Sequence, residues 1–148
     1  MILEAAHRFA RHTHAVYCAA MNVKPSKYPF AKKWAAELES DGHVQISTFF
    51  LENYHRLKPY SLTHGEAMFI VHLMQHKWGA EAPYPGYKTI AKRMGVSDKT
   101  ARRLAKSLED KKYLVRQVRE ANTNLFHLNK LIAALVGLKK SAKLKGEK

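Results

Sequence analysis

Lys99, Arg102, Arg103 and Lys106 place four cations within eight residues of a segment patterned like a helix. At about 100° per residue, with Lys99 at zero, Arg103 falls at about 40°, Lys106 at about 340° and Arg102 at about 300°. Ala101, Leu104, Ala105 and Leu108 occupy about 140° to 240° of the same wheel, so one face is basic and the opposite face apolar. The acids Glu109 and Asp110 come only at the far end. A guanidinium presents a planar fork of donors that fits a guanine edge, while Lys, Ser or Thr can hold a phosphate oxygen. Such chemistry is recognition of a polyanion by the N-terminal half of a helix. Ser97 and Thr100, at the start of that helix, join the candidate contacts.

Further candidates flank this segment. Lys88, Thr89, Lys92 and Arg93 lie on the outer positions of a preceding short helix and suit phosphate positioning. Arg116, Arg119, Asn122 and Asn124 follow in a stretch with strand and turn character, where they could reach the backbone or minor groove. No comparable arrangement supports catalysis. Nine histidines are present, eight of them before residue 77. His72 and His76 have the i, i+4 spacing that can hold zinc, but no Cys or nearby acid completes a ligand set and no Glu follows the first His. Cys18 lies near His12 and His14 without an oriented base, and a buried thiol is the commoner state. There is no G-x-x-x-x-G-K-[ST] loop. The reading is therefore of a non-enzyme with no catalytic residue, no metal, no cofactor and no small-molecule substrate.

The charge balance agrees. Among 148 residues, Lys and Arg number 26 against 12 Asp and Glu, a net of +14. Residues 1–80 contribute 9 − 6 = +3 and residues 81–148 contribute 17 − 6 = +11, so the polyanion contact belongs to the second half. Residues 88–119 alone carry 11 − 3 = +8. Aromatics follow the opposite trend, with 12 of 15 before residue 85, as expected if the first half supplies hydrophobic mass. A 46% hydrophobic content is enough for a buried core. A single cysteine excludes an intrachain disulfide. Met1–Ala20 is interrupted by Glu4, His7, Arg8, Arg11, His12 and His14 and has no apolar signal region, and no stretch reaches the roughly 18 apolar residues of a membrane span. The expectation is a cytoplasmic, nucleoid-associated protein.

The elements that must position these residues are legible in outline. Ile2, Ala6, Phe9, Val16 and Ala20 form one stripe of an amphipathic helix over residues 2–20, which Pro25 and Pro29 end. Phe30, Trp34 and Leu38 predict a second helix, stopped by Asp41-Gly42. The alternation Val44, Ile46, Thr48 predicts a strand, followed by an aromatic segment from Phe49 to Leu57. Thr63 and Glu66 form a capping box for a nearly all-apolar helix over 65–78, with Gly79 as its stop. Tyr87, Ile90, Ala91 and Met94 predict a short helix, Gly95 breaks it, and Ser97 caps the next, with Asp98 at its positive end. Leu114, Arg116 and Val118 alternate on one side, Phe126 and Leu128 on another, and Glu120 to Asn124 reads as the tip of a β-hairpin. Asn129 starts a last helix carrying Leu131, Ile132 and Leu135, which Gly137 ends. Residues 138–148, with five lysines, read as a disordered basic tail.

Ala91, Gly95, Ala101 and Leu104, flanked by Ile90, Met94 and Val96, resemble the helix-turn-helix pattern of a small residue where two helices touch, Gly in the turn and apolar anchors beneath the recognition helix. The surrounding stretches SLTHGEAMFIVHLMQHKW, APYPGYKTIAKRMGVSDKTARRLAKSLEDKKYLVR and TNLFHLNKLIAAL are similar to the winged helix-turn-helix modules of bacterial, phage and plasmid replication initiators and transcriptional regulators. The resemblance spans residues 61–135. Two positions depart from it: Gly86 stands where a Ser cap is common, and Lys112 where a Gly often precedes the wing.

The resulting expectation is a mainly α fold with a small β-hairpin wing, namely a winged helix-turn-helix with an N-terminal helical extension. Its domains would be 1–42 for the extension, 43–137 for the DNA-binding unit and 138–148 for the tail. The resemblance implies sequence-specific binding of double-stranded DNA by a transcriptional regulator of a bacterium or mobile element. A replication-initiation or partition protein is one alternative and a winged-helix protein-interaction module another. The apolar stripe of residues 2–20 either packs within the chain or forms a homodimer.

Overall fold

A computed structural model describes residues 33–77, 79–120, 122–144 and 146. The chain divides into two compact units, residues 1–43 and 44–148. Of the first unit, only residues 33–43 are described. Lys33 is α-helical, but Ala36–Asp41 form a 3₁₀ helix in place of the α-helix expected to continue to Ser40. Trp34 and Leu38, expected on a helical stripe, are exposed there. Phe30, Cys18 and the stripe of residues 2–20, with its intramolecular or dimer role, lie outside the described residues.

The second unit holds five helices and one hairpin among the described residues. In chain order these are α1 (Thr48–Asn53), a 3₁₀ turn (Tyr54–Arg56), α2 (His64–Met74), α3 (Tyr87–Met94), α4 (Asp98–Asp110), β1 (Val115–Gln117), β2 (Leu125–His127) and α5 (Asn129–Leu144). No helix among the described residues is long and apolar enough to cross a membrane. The expected strand at Val44 is overturned: residues 42–47 belong to no element and α1 begins at Thr48. The alternation does mark burial, since Val44 and Ile46 are half-buried between exposed neighbours. No partner ladder forms there among the described residues. The aromatic segment is helical instead and buries Phe50 and Leu57.

Helices α2, α3 and α4 pack pairwise on one another and enclose the core. Phe69, Ile70 and Leu73 of α2, Ile90 and Ala91 of α3, and Ala101, Ala105 and Leu108 of α4 are buried within it. The capping box forms as expected: Thr63 accepts from the Glu66 backbone N–H, and the Thr63 N–H donates to Glu66 Oε2 at 2.7 Å. Helix α2 ends at Met74, earlier than expected, and its C-cap is Gln75 rather than Gly79. In the turn that follows, the Lys77 ammonium donates to the carbonyls of Gly79, Ala80 and Glu81 at 2.8, 3.1 and 2.8 Å.

The hairpin pairs Val115 with His127, Arg116 with Phe126 and Gln117 with Leu125 in antiparallel register. Two three-residue strands are marginal alone, so their anchor is Phe126. Its ring is fully buried, edge-on to Phe69 at 6.4 Å and to Tyr87 at 5.7 Å, and its N–H donates to the Pro83 carbonyl at 2.9 Å. β1 stops before Val118, which is 73% exposed and so does not continue the Leu114 side as expected. Lys112, at the entry to the wing, has a left-handed backbone with φ 64°. The structure thus keeps the conformation for which Gly is suited and places Lys in it.

Helix α5 does not stop at Gly137; it runs to Leu144, so residues 138–144 are helical rather than a disordered tail. Gly137 lacks the positive φ that a glycine stop uses. Ala133, Ala134, Leu135 and Leu138 around it favour helix, and Leu138 packs against the core.

Candidate nucleic-acid interface

The turn between α3 and α4 is built locally. Gly95 takes φ 66°, and the Val96 N–H returns to the Ala91 carbonyl at 3.0 Å, closing α3. A side chain at that φ is strained, which is why Gly stands there. Two residues on, Ser97 Oγ accepts from the Thr100 N–H at 3.1 Å and opens α4. Ala91 and Ala101 are both buried where the helices meet. Small side chains at that crossing allow close approach.

The cationic candidates then separate into two groups. Lys88 and Lys92 on α3, and Lys99 and Arg103 on α4, are exposed and form no hydrogen bond or ion pair with any described residue. Lys88 and Lys92 are one turn apart and share a face. Thr89 is exposed beside them, and Thr100 is half-buried with its hydroxyl 2.9 Å from Ser97 Oγ.

The others are engaged within the molecule. Arg102 Nε donates to Asp98 Oδ2 at 2.8 Å, and its guanidinium lies over the Tyr87 ring at 4.7 Å. Each such exposed anchor is worth a few tenths to about 1 kcal/mol, a cost that Arg102 would meet on leaving and Arg103 would not. Asp98 Oδ1 is buried without a hydrogen-bond partner among the described residues; the positive end of α4 favours its charge. Lys106 pairs with Asp110 at 3.0 Å, and that bond holds its ammonium above the usual pKa. Arg116 Nε pairs with Glu109 at 3.1 Å and its Nη1 donates to the Tyr87 hydroxyl at 3.3 Å. Glu109 and Asp110, at the far end of the helix, thus reach Arg116 and Lys106.

Arg93 donates to Gln75 Oε1 at 3.1 Å and contacts His76 Nε2 at 2.6 Å. Burial, then the Arg93 charge, holds the pKa of His76 below its usual value, and the same two causes lower that of His72. Both rings are accordingly neutral near pH 7, and the neutral His76 can accept from Arg93. Among the described residues, no group of three His, Cys, Asp or Glu side chains could hold a metal. In the wing, Arg119 donates to the Thr123 carbonyl at 2.8 Å and lies over Tyr84 at 5.3 Å. Asn122 donates to the Glu120 carbonyl at 3.3 Å, and Asn124 is half-buried. Arg119 and Asn122 thereby shape the wing turn.

Two features escape sequence reasoning. Glu66, legible as a cap, is also 1% exposed and joins α2 to the C-terminal end of α4. Its Oε1 accepts from Ser107 at 2.7 Å, and its Oε2 accepts from Lys111 at 2.7 Å and the Thr63 hydroxyl at 2.9 Å. Burial pushes this carboxyl upward, but the Lys111, Thr63 and Ser107 donors outweigh it and hold it below the ordinary carboxylate range. Lys111 lies 45 residues from Glu66 and no local pattern joins them. Tyr87, legible as an apolar anchor, is a junction: it touches Arg102 of α4, Arg116 of β1 and Phe126 of β2.

Residues 60–114 match the family model described as "Helix-turn-helix domain". No curated protein sequence matches the chain. Among solved structures, the chain is similar to the crystal structure of the N-terminal domain of DnaD protein from Geobacillus kaustophilus. Sequence identity is 24% and the TM-score 0.56, over 76% of this chain and 94% of that chain. With the β1–β2 wing and α5 that follow residues 60–114, the chain has the winged helix-turn-helix fold.

Proposed function

We propose that the protein binds double-stranded DNA sequence-specifically and acts by occupancy, without a catalytic step, as a cytoplasmic, nucleoid-associated transcriptional regulator of a bacterium or mobile element. The observation that carries this reading is the N-terminal half of α4, where Lys99 and Arg103 are exposed without an acidic partner among the described residues. A surface helix ordinarily interleaves both signs; here Asp98 is the lone acid of that half and is taken by Arg102. In this reading α4 enters the major groove, Arg103 meets a base edge, and Lys88, Lys92 and Lys99 lie along phosphates. The wing follows the adjacent backbone. Two copies, joined through residues 2–20, would read half-sites about one helical turn apart.

Affinity for a preferred and a random duplex, measured across a salt series, tests the reading. DNA binding predicts a linear fall of log K with log salt, with a slope of about −0.9 per phosphate neutralised, and tighter binding to the preferred duplex. A chain that binds neither duplex, or binds with no salt dependence, acts instead as a protein-interaction module. The resemblance of residues 61–135 to replication initiators supports a second reading, replication or partition. Mapping bound sites across the genome separates the two, since occupancy concentrated at one origin or partition locus favours the second reading and dispersed promoter sites the first.

A further inference from the structure

Two adjacent arginines on α4 differ in what holds them. Arg103 is exposed and makes no ion pair with any described residue, whereas Arg102 is bonded to Asp98 at 2.8 Å and stacked on Tyr87 at 4.7 Å. Tyr87 is 8% exposed and sits at the first position of α3. Its ring packs T-shaped with Phe126 of β2, and its hydroxyl receives Arg116 of β1 at 3.3 Å, with Glu109 pairing with Arg116 at 3.1 Å. One tyrosine thus touches α4 and both strands of the wing. The two segments expected to meet DNA are connected through a pair of arginines that both engage this residue.

Resting on the DNA-binding reading above, we infer that Tyr87 is a positioning residue which, through Arg102 and Arg116, sets the recognition helix against the wing, and that Arg103 rather than Arg102 determines base specificity. Asp98, through Nε, and the Tyr87 ring face hold Arg102 toward the first turn of α3 before any ligand arrives; its terminal amines keep donors to offer, but the side chain is committed to that direction. Arg103 has no such tie. Its neighbours Lys99 and Thr100 lie on the same end of α4, so a base contact by Arg103 is flanked by groups suited to phosphate.

The test has two arms on the full chain. In the first, without DNA, the side-chain Nε–H signals of arginine are recorded for wild type, Tyr87→Phe and Tyr87→Leu. Arg102 is expected to be protected from exchange and shifted by the tyrosine ring, and Arg103 to be averaged by solvent. Tyr87→Phe retains the Arg102 shift, and Tyr87→Leu abolishes it. Identical behaviour of the two arginines in the free chain overturns the inference. In the second arm, duplexes are selected from a random pool by wild type, Arg102→Ala and Arg103→Ala, with thermal unfolding recorded for each. Arg103→Ala is expected to lose preference at one base pair. Arg102→Ala should select the wild-type motif while its affinity falls roughly two- to fivefold on preferred and random duplexes alike. Loss of a base preference in Arg102→Ala that Arg103→Ala retains overturns the inference and leaves the DNA-binding reading standing. A wild-type chain that selects no motif removes sequence-specific reading itself, and Arg103's role with it.

Discussion

The two halves of α4 obey opposite logic. From Ser107 onward the helix is tied to α2, because Glu66 receives Ser107 and Lys111 in a buried site and Lys111 also donates to the Ser61 carbonyl at 2.8 Å. Tyr113 extends this anchorage by donating to the Tyr60 carbonyl at 2.7 Å. Toward the N-terminus, the basic side chains Lys99 and Arg103 are left to solvent. Exposed cations at one end cost little in water, and the anchorage of the helix comes from its other end. Stability and recognition are therefore assigned to different turns of one helix, and substitutions in the two halves should have separable effects.

The largest effect is expected at Glu66. Glu66→Ala leaves the Lys111 ammonium with the Ser61 carbonyl alone and the Ser107 and Thr63 donors without their acceptor, and should lower stability by about 3–5 kcal/mol in urea unfolding, as for other broken buried pairs. Because the carboxyl pKa is lowered on folding, its contribution is complete above the unfolded value of about 4.3 and is lost as pH falls through the lower folded value. Acid titration of unfolding free energy should show this loss in wild type and not in Glu66→Gln. A comparison inside α4 comes next. Leu108 is fully buried and Leu104 only partly, so Leu108→Ala should cost about 2–5 kcal/mol and Leu104→Ala less than Leu108→Ala. Equal losses would mean that the helix is seated differently. The smallest effect is a gain: Lys112→Gly relieves a left-handed backbone and should raise stability by about 1 kcal/mol, with DNA affinity nearly unchanged.

How much of this is legible in the sequence follows from the range of each interaction. The capping box, the Gly95 turn and the Ser97 cap join residues at most a few positions apart, so the pattern of residue types suffices to place them. The basic face of α4 is equally readable from spacing. Glu66 with Lys111, and Tyr87 with Arg102 and Arg116, are products of packing, and their members carry no mark of each other in sequence. The helical wheel puts Arg102 and Arg103 on one face but cannot reveal that Asp98 and Tyr87 engage only the first. Local rules also mislead where context overrides them. Val44 to Thr48 alternates like a strand but finds no partner among the described residues, and Gly137 lies inside a helix that its neighbours sustain. The turn after α2 has the Lys77 ammonium folded back onto three carbonyls, an arrangement no periodicity encodes.

The most direct test of the division within α4 is the double variant Lys99→Ala/Arg103→Ala, followed by thermal unfolding and by duplex affinity across a salt series. Unfolding should match wild type to within about 0.5 kcal/mol, because both side chains are exposed. Affinity for the preferred duplex should fall by about 1–3 kcal/mol, because no guanidinium at position 103 meets the base edge. The magnitude of the salt slope should fall by about one, because the Lys99 ammonium no longer neutralises a phosphate. Wild-type affinity and slope in this double variant would contradict the account, because the free end of α4 would then not be what meets DNA.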